Sequence, residues 1–436
     1  MKYYLEVLKY IKKNGFNCWL IGSAVRDVLM RRVPAALTLV VDAPSYEKLI
    51  EVFGGEIIKT RNFKYVQSEI IGESSQISLL EGRTITEELA GRDFTINAIA
   101  IRWDGFVEDP FRGRHDIRNR LVRIVGDNIE NLESKPLRVV RLIRFAVYYD
   151  MNIYWKSEMD TRIFIDTHKE EIVNSLSTRW GREIFISMKE RPHDVLRLAD
   201  HYGLSSLIIP KLELLKDIRI ADGGTLFSHT LDTLWEIQKH FQKRNATAND
   251  LIIALAGLFH HIGSTTNARG TRVDINISSE IAKEYLKAWG STDNIIEKIL
   301  IVMRDYRMFY TERSEQELCS FALDKGLDTI KAIAEFCLCN IRASLGADAA
   351  KTHEIIIQND RRLNDIFRRF EEMWYKMGSR SGYITNDDIL KELDLSHGVL
   401  KKIMRKHDEL VGTGEITSRR DALQWLENLD TSCLHE

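Results

Sequence analysis

A strand, a tight turn and a helix near the amino terminus carry the first residues suited to chemistry. The apolar residues 18–21 lead into Gly22 and Ser23, and residues 24–29 continue with helical periodicity. Small residues at such a turn let backbone N–H groups approach a phosphate at a helix N-terminus, where the helix dipole also favours an anion. The turn therefore predicts a phosphate site, although an ordinary strand-to-helix turn would use the same residues.

The composition limits what the rest of the chain can be. The chain has 436 residues, of which 44% are hydrophobic and 29% charged, so it is a globular chain and not a disordered one. The 62 Lys and Arg residues nearly balance the 64 Asp and Glu residues, so any nucleic-acid surface must be local. The five cysteines are scattered and expected to be reduced. No apolar run is long enough to span a bilayer and no secretory signal is evident, so we expect a cytoplasmic protein.

The periodicity of apolar residues divides the chain into four parts. Short β-rich runs alternate with helical segments in residues 1–125, which predicts an α+β head. Long helical patterns follow, and breaks within them predict a helical neck at 126–210, a helical middle domain at 211–345 and a helical tail at 346–436.

Three further stretches follow the Gly22-Ser23 turn in a fixed order: LAGRDFTINA at 89–98, VEDPFRG at 107–113 and PLRVVRLIRF at 136–145. Together they resemble the class II tRNA nucleotidyltransferase and bacterial poly(A) polymerase family, which adds C, C and A, or A tracts, to RNA 3′ ends. FSHTL at 227–231 and LFHHIG at 258–263 look like the HD-type domain that many members carry. Residues 383–390, 414–417 and 422–426 look like the family's C-terminal RNA-contacting domain.

The resemblance implies a fold and a nucleotide site. The fold is α+β: a small mixed-sheet, polymerase-beta-like nucleotidyltransferase head followed by an all-α neck, an HD-like body and a tail. The residues at the family's nucleotide-binding positions are Gly22, Ser23, Arg26, Asp27, Arg92, Asp93, Arg138 and Arg141.

The family's metal ligands are missing from this sequence. Nucleotidyl transfer in the family needs two metal ions clamped by carboxylates. The two D-x-D positions fall on Ala36 and Thr38, and a further acidic position falls on Ser78. Asp42 shares the strand face of Thr38 but lies roughly 13 Å further along, too far to replace the pair. We therefore expect no intact catalytic site and no cofactor, with Mg²⁺ and CTP or ATP required only if the chain is active with other ligands.

Two further departures concern nucleotide selection. The flexible loop before the Arg92-Asp93 motif is mostly deleted. Lys135 occupies a position where the family pattern has a hydrogen-bond acceptor, although Arg138 is retained. Base-specific choice between CTP and ATP is expected to be lost.

The HD-like motifs are also incomplete. His229 is present, but the His-Asp pair is His260-His261 and a later histidine position is Ser278. Three imidazoles could bind zinc or nickel. A metal-free helical domain is the interpretation that the missing ligands favour.

The tail combines basic and aromatic residues. Arg368 and Arg369 lie beside Phe370 and Trp374, and Lys401, Lys402 and Arg405 follow. Positive charge with interleaved aromatic rings favours an RNA surface, whereas an amphipathic helix with solvated charges would give the same pattern.

Three functions are compatible with these observations. The first is a catalytically inactive homologue that binds RNA, most plausibly tRNA-like, or pairs with an active nucleotidyltransferase as a regulatory or scaffolding subunit. The second is an active nucleotidyltransferase with metal ligands not recognised in the sequence. The third is a scaffold that binds a protein or a free nucleotide.

Overall fold

The structure is a computed structural model. It describes residues 2–59, 64–220, 223–244, 247–267, 270–272, 274–314, 317–318, 321, 325–344, 347–378, 407, 410, 416 and 419–427. The chain forms two compact units. The first unit comprises residues 1–311 and 328–356, and the second comprises 312–327 and 357–436. The four-part division expected from the sequence stays a prediction.

A seven-stranded mixed sheet forms the head of the first unit. Its strand order is β3-β4-β5-β2-β1-β6-β7, and β2 pairs with β5 in parallel while the other neighbours are antiparallel. The strands are β1 Asn17–Ile21, β2 Leu37–Asp42, β3 Glu56–Lys59, β4 Lys64–Ile70, β5 Glu73–Leu79, β6 Ala100–Arg102 and β7 Val107–Glu108. The short β-rich runs of the sequence include residues 18–21, 37–41, 65–71 and 76–80, and these correspond to β1, β2, β4 and β5.

The two faces of this sheet pack against different helices. Leu37, Leu39 and Val41 of β2 point into a core that is shared with the first and third helices, because side chains in a strand alternate between faces. Val40 points to the opposite face, where it packs with Ile85 and other apolar residues. The head helices are α1 Lys2–Lys13, α2 Gly22–Leu29, α3 Tyr46–Phe53, α4 Ile85–Ala90 and α5 Gly113–Arg118, with a 3-10 turn at Thr95–Asn97.

After the head, the described residues are mainly helical, as the sequence predicted. In the first unit the helices are α6 Asn128–Ser134, α7 Arg138–Tyr148, α8 Trp155–Thr167, α9 Lys169–Ser175, α10 Thr178–Glu190, α11 Pro192–His201, α12 Leu204–Ile208, α13 Lys211–Leu214, α14 Leu226–Phe241, α15 Asp250–Phe259, α16 Ile275–Ala288, α17 Asp293–Asp305 and α18 Leu327–Ala343, with a 3-10 turn at Tyr306–Tyr310. Short strands β8 Leu121–Val122 and β9 Asn152–Ile153 pair in parallel. Strands β10 Thr265–Asn267 and β11 Gly270–Arg272 form a hairpin.

Two helices account for most of the described residues of the second unit. Helix α19 spans Ala347–Gly378, of which residues 357–378 belong to this unit, and α20 spans Arg419–Glu427. Among the helices that the structure describes, none has the length and apolar character needed to cross a membrane. The predicted α+β head with a helical remainder is confirmed.

Candidate nucleotide and metal sites

The turn between β1 and α2 has the geometry expected of a close backbone approach. Ile21 is extended, and Gly22 has a φ of +64°, a left-handed conformation that favours glycine. A Cβ on Gly22 would lie 3.4 Å from Arg92 Nη1, and Ser23 is exposed. The fold therefore places the Arg92 guanidinium beside the first residue of α2, which joins two of the positions singled out in the sequence.

Arg92 is partly accessible at this turn. Its side chain is 27% exposed, and its Nη2 donates to Glu88 Oε1 at 2.5 Å. The other oxygen of Glu88 forms an ion pair with Arg83 Nη1 at 2.7 Å. Nη1 of Arg92 faces Gly22, whereas Nη2 is bonded to Glu88. The guanidinium can therefore still bind an anion through Nη1.

Arg26 and Asp27, in contrast, bind each other and the protein interior. Arg26 is buried and donates from Nε and Nη2 to Asp27 Oδ1 at 2.9 and 2.8 Å. Its Nη1 donates to Asn97 Oδ1 at 2.8 Å, and its guanidinium lies 4.7 Å from the ring centroid of Tyr149. These contacts hold α2 against the 3-10 turn and α7, so both residues support the turn from behind.

Asp93 and Arg141 belong to the same internal network. Asp93 Oδ1 accepts from Asn97 Nδ2 at 2.8 Å, and its Oδ2 forms an ion pair with Arg141 Nη1 at 2.7 Å. Glu183 of α10 neutralises Arg141 Nε at 3.4 Å and Arg144 Nε at 2.5 Å. A continuous set of charges thus joins α2, the 3-10 turn, α7 and α10.

Arg138 is an anchor between the head and α7. It is buried, and it donates to the carbonyl oxygens of Asn131 and Gly91 at 2.8 Å each. Burial lowers the pKa of this guanidinium and also the pKa of Lys135, for which the nearby Arg138 charge acts in the same direction. The Arg138 donors that would read a base are satisfied by backbone carbonyls.

The sheet face beside the turn carries the three positions where the sequence lacks carboxylates. Ala36 directly precedes β2, and Thr38 lies on the same face as Val40, which is paired with Ser78 of β5. All three positions are half-buried, and Ser78 Oγ donates to Leu39 O at 3.2 Å. Asp42 is exposed at the end of β2, opposite Asn17 of β1. This face offers hydroxyl and methyl groups at the three positions.

Three buried histidines meet in the helical part of the first unit. Among the described residues, His229, His260 and His261 form a group in which one ring nitrogen of each lies within 4.8 Å of the others. Burial, followed by the neighbouring imidazoles, lowers the pKa of His260 well below its usual range. Burial lowers the pKa of His261 to about 3. Both rings are therefore neutral at neutral pH. Ser278, buried nearby, accepts from the Gly263 N–H at 3.0 Å.

Known proteins similar to this chain come from the family that the sequence motifs resemble. The Poly A polymerase head domain model matches residues 47–123. The CCA-adding enzyme of Streptococcus pyogenes serotype M4 is 26% identical over 346 residues, which are 75% of this chain and 76% of that enzyme. The chain thus resembles the class II tRNA nucleotidyltransferase family.

Further relatives and solved structures show the same similarity. The CCA-adding enzyme of Lactobacillus helveticus is 28% identical over 253 residues, which are 53% of this chain and 61% of that enzyme. The structure of the Bacillus stearothermophilus CCA-adding enzyme with CTP has a TM-score of 0.58 at 19% identity and covers 97% of this chain and 95% of that one. The Thermotoga maritima CCA-adding enzyme in complex with tRNA has a TM-score of 0.55 at 15% identity, with 98% and 94% covered. These structural likenesses confirm the fold.

The side chains at Ala36, Thr38 and Ser78 do not match the oxygen ligands that Mg²⁺ prefers. Mg²⁺ is held through carboxylate oxygens at near-octahedral geometry. Ala36, Thr38 and Ser78 supply no carboxylate, and the nearby Asp27 and Asp93 are engaged by Arg26 and Arg141. These residues provide no ligands from which a metal-dependent nucleotidyl transfer could be derived.

Three of the five predicted RNA-binding residues lie outside the described part of the chain. Arg368 of α19 is 67% exposed and forms an ion pair with Asp365 at 3.5 Å. Arg369 belongs to the same helix, whereas Lys401, Lys402 and Arg405 lie outside the described residues. The role of these five residues stays a prediction.

Asn97 and Glu183 contact the candidate site residues and were not singled out from the sequence. Asn97 bridges Arg26 and Asp93, and it stands four positions after Asp93 in the family motif, which was the available signal. Glu183 lies in α10, and nothing in its local sequence distinguishes it from a solvated helix carboxylate. Only the packing of α7 on α10 shows that it neutralises two arginines.

Proposed function

We propose that this chain is a non-catalytic member of the CCA-adding enzyme and poly(A) polymerase family that binds tRNA-like RNA. The observation that carries the proposal is the sheet face with Ala36, Thr38 and Ser78 where carboxylates would clamp two metal ions. Without those ligands, the RNA 3′ hydroxyl is not activated and the triphosphate is not held by metal. The chain would act by binding RNA alone, or as a regulatory or scaffolding subunit beside an active nucleotidyltransferase.

The internal ion pairs support this proposal. Arg26, Arg138 and Arg141 are held by Asp27, by backbone carbonyls and by Asp93 with Glu183. A guanidinium that already satisfies its donors inside the protein gains little from a nucleotide, because binding must first replace those bonds. Arg92 beside Gly22 is the residue best placed for an anion.

RNA binding does not depend on the metal site. Contacts to phosphates use spread positive charge, which survives the loss of one ligand set. The similarity to enzymes named for CCA addition, and to a fold that holds tRNA in the Thermotoga maritima structure, supports a tRNA-like partner.

The same similarity favours an active enzyme as the second candidate. Such an enzyme would add nucleotides from CTP and ATP to RNA 3′ ends, with Mg²⁺ held by other side chains or by a partner. A third candidate, a scaffold for a protein or a nucleotide, needs neither catalysis nor RNA.

One experiment separates these functions. The full chain is incubated with tRNA lacking its terminal CCA, labelled CTP and ATP, and Mg²⁺ or Mn²⁺, and the same RNA is used in a gel-shift assay. We expect a shifted RNA that is not extended. A CCA-adding relative serves as the positive control. Extension would establish the active alternative, and the absence of both extension and shift would favour the scaffold.

A charge reversal tests the tail as the RNA surface. We expect Lys401→Glu with Lys402→Glu to lower tRNA affinity at least about tenfold at low salt and to flatten the salt dependence by up to roughly 2 in slope, because two phosphate contacts are lost. The control pair, Lys283→Glu with Lys287→Glu, makes the same charge change on the exposed face of α16. If both pairs weaken binding equally, the effect is one of net charge and the tail is not the site.

Arg92 provides a test of residual nucleotide binding. Calorimetry without metal should show weak CTP or ATP binding that falls roughly tenfold or more in Arg92→Ala, because a charge-assisted hydrogen bond contributes about 1.5–3 kcal/mol. Arg83→Ala is the matched control, since Arg83 also pairs with Glu88 but is not the arginine found against Gly22. Equal affinity in wild type and Arg92→Ala would contradict a nucleotide site at this turn.

A further inference from the structure

The three-histidine group has the geometry of a preformed ligand set. His229 lies in α14, and His260 and His261 directly follow the last residue of α15. The rings of His260 and His261 are 3.9 Å apart between centroids, and that of His229 is 5.6 and 5.3 Å from them. Since one nitrogen of each ring lies within 4.8 Å of the others, a small inward shift would bring all three to a shared ion.

Two of the rings are oriented by carbonyl acceptors behind them. His260 Nδ1 donates to Gly257 O at 2.8 Å, and His229 Nε2 donates to Asn340 Oδ1 at 3.0 Å. For His260, this acceptor fixes the tautomer and leaves the lone pair on Nε2, as outer acceptors do behind metal-bound histidines.

One ring nitrogen of His260 and one of His261 are without a hydrogen-bond partner among the described residues. His260 Nε2 and His261 Nδ1 are fully buried, and neither makes a hydrogen bond. Aromatic rings form one wall, with Phe336 at 5.6 Å and Tyr306 at 6.5 Å from the His260 ring. Buried polar atoms without partners are rare in folded proteins and indicate an ion or water.

We propose that His229, His260 and His261 bind one divalent transition-metal ion, with Zn²⁺ as the preferred occupant. Three imidazole nitrogens suit Zn²⁺, Ni²⁺ or Cu²⁺ and not Mg²⁺, which prefers oxygen ligands. The set differs from that of an HD phosphohydrolase, because His261 replaces the aspartate that would supply a negative oxygen. The ion would connect α14 to the end of α15 and, through Asn340, to α18.

Metal titration of the full chain tests the site. After chelation, the protein should bind one Zn²⁺ per chain, and Co²⁺ substituted for it should give the visible absorption bands of a tetrahedral or five-coordinate nitrogen site. Zn²⁺ should also raise the unfolding temperature in proportion to the logarithm of its concentration. Failure of the wild type to show these signals would overturn the proposal, whatever the variants do.

Variants locate the ion. His260→Ala and His261→Gln should each weaken Zn²⁺ binding at least about 100-fold, and Asn340→Leu, which removes an outer acceptor, about 10- to 100-fold. His201→Ala is the control, because His201 is 53% exposed and lies outside the group. Unchanged affinity in both His260→Ala and His261→Gln would assign any bound metal to another site and overturn the proposal.

Discussion

Replacing Gly113 by alanine is expected to destabilise the first unit by roughly 3 kcal/mol or more. A Cβ at this position would lie 2.0 Å from the carbonyl oxygen of Thr95 and 2.8 Å from Ile99 Cγ1. Overpacking costs about 1–3 kcal/mol where side chains can move, and here the obstacle is backbone. The midpoint of urea unfolding of the full chain measures the effect.

Gly91→Ala is the matched control. Gly91 has a helical φ of −74°, and its added Cβ would meet Glu88 O at 3.6 Å, an ordinary contact. We expect a change within about 0.5 kcal/mol, typical of substitutions away from the core. Equal shifts of the urea midpoint in the two variants would contradict the close approach at Gly113.

The contacts around Gly113 give the 107–113 motif a role in the fold. Asp109 accepts from the N–H groups of Gly113 and Arg114 at 2.6 and 3.0 Å, which caps the start of α5. Thr95 Oγ1 donates to Asp116 Oδ2 at 2.6 Å. The motif holds α5 on the 3-10 turn that carries Asn97, so it serves the fold independently of catalysis.

Arg26→Leu is expected to cost about 3 kcal/mol in unfolding free energy. The substitution keeps apolar volume but leaves Asp27 and Asn97 without their buried donor, and removing one partner of a buried pair costs about 3–5 kcal/mol. The Asp27 side chain is 16% exposed, and partial solvation places the expectation at the lower end. The loss of stacking on Tyr149 adds to it.

Arg182→Ala provides the comparison for Arg26→Leu. Arg182 is an exposed arginine of α10, in the same unit, and its loss should change the urea midpoint little. A similar small effect for Arg26→Leu would show that the Asp27 and Asn97 contacts contribute nothing to stability. Double substitution of Arg26 and Asn97 should cost less than the sum of the two, because they share one hydrogen bond.

The sequence predicted the parts of the head that depend on local pattern. Short β-rich runs identified β1, β2, β4 and β5, and the Gly22-Ser23 pair identified the turn, because these features are determined by neighbours in the chain. The two-residue strand β7 was missed, since so few residues give no alternation and the strand is defined by its pairing with β6.

The partners of the arginines could not be predicted from the sequence. Arg138, Arg141 and Arg144 recur at helical spacing, which indicates a shared face but not what that face meets. Either a nucleotide phosphate or the Glu183 carboxylate could pair with these arginines, and the sequence of α7 does not distinguish between the two anions. The packing of α10 places Glu183 beside Arg144. The carbonyl oxygens of Asn131 and Gly91, which also come from other segments, accept hydrogen bonds from Arg138.

The strand order of the head bears on how the chain folds during synthesis. Strand β1 is made first, yet it lies inside the sheet between β2 and β6, and β6 begins only at Ala100. In a nascent chain that ends before Ala100, the edge of β1 that pairs with β6 is uncovered. The backbone groups of Trp19 and Leu20 on this edge can then pair with other chains. Fragments of the head cut before β6 should aggregate, and folding of the head sheet on the ribosome must wait until β6 has emerged.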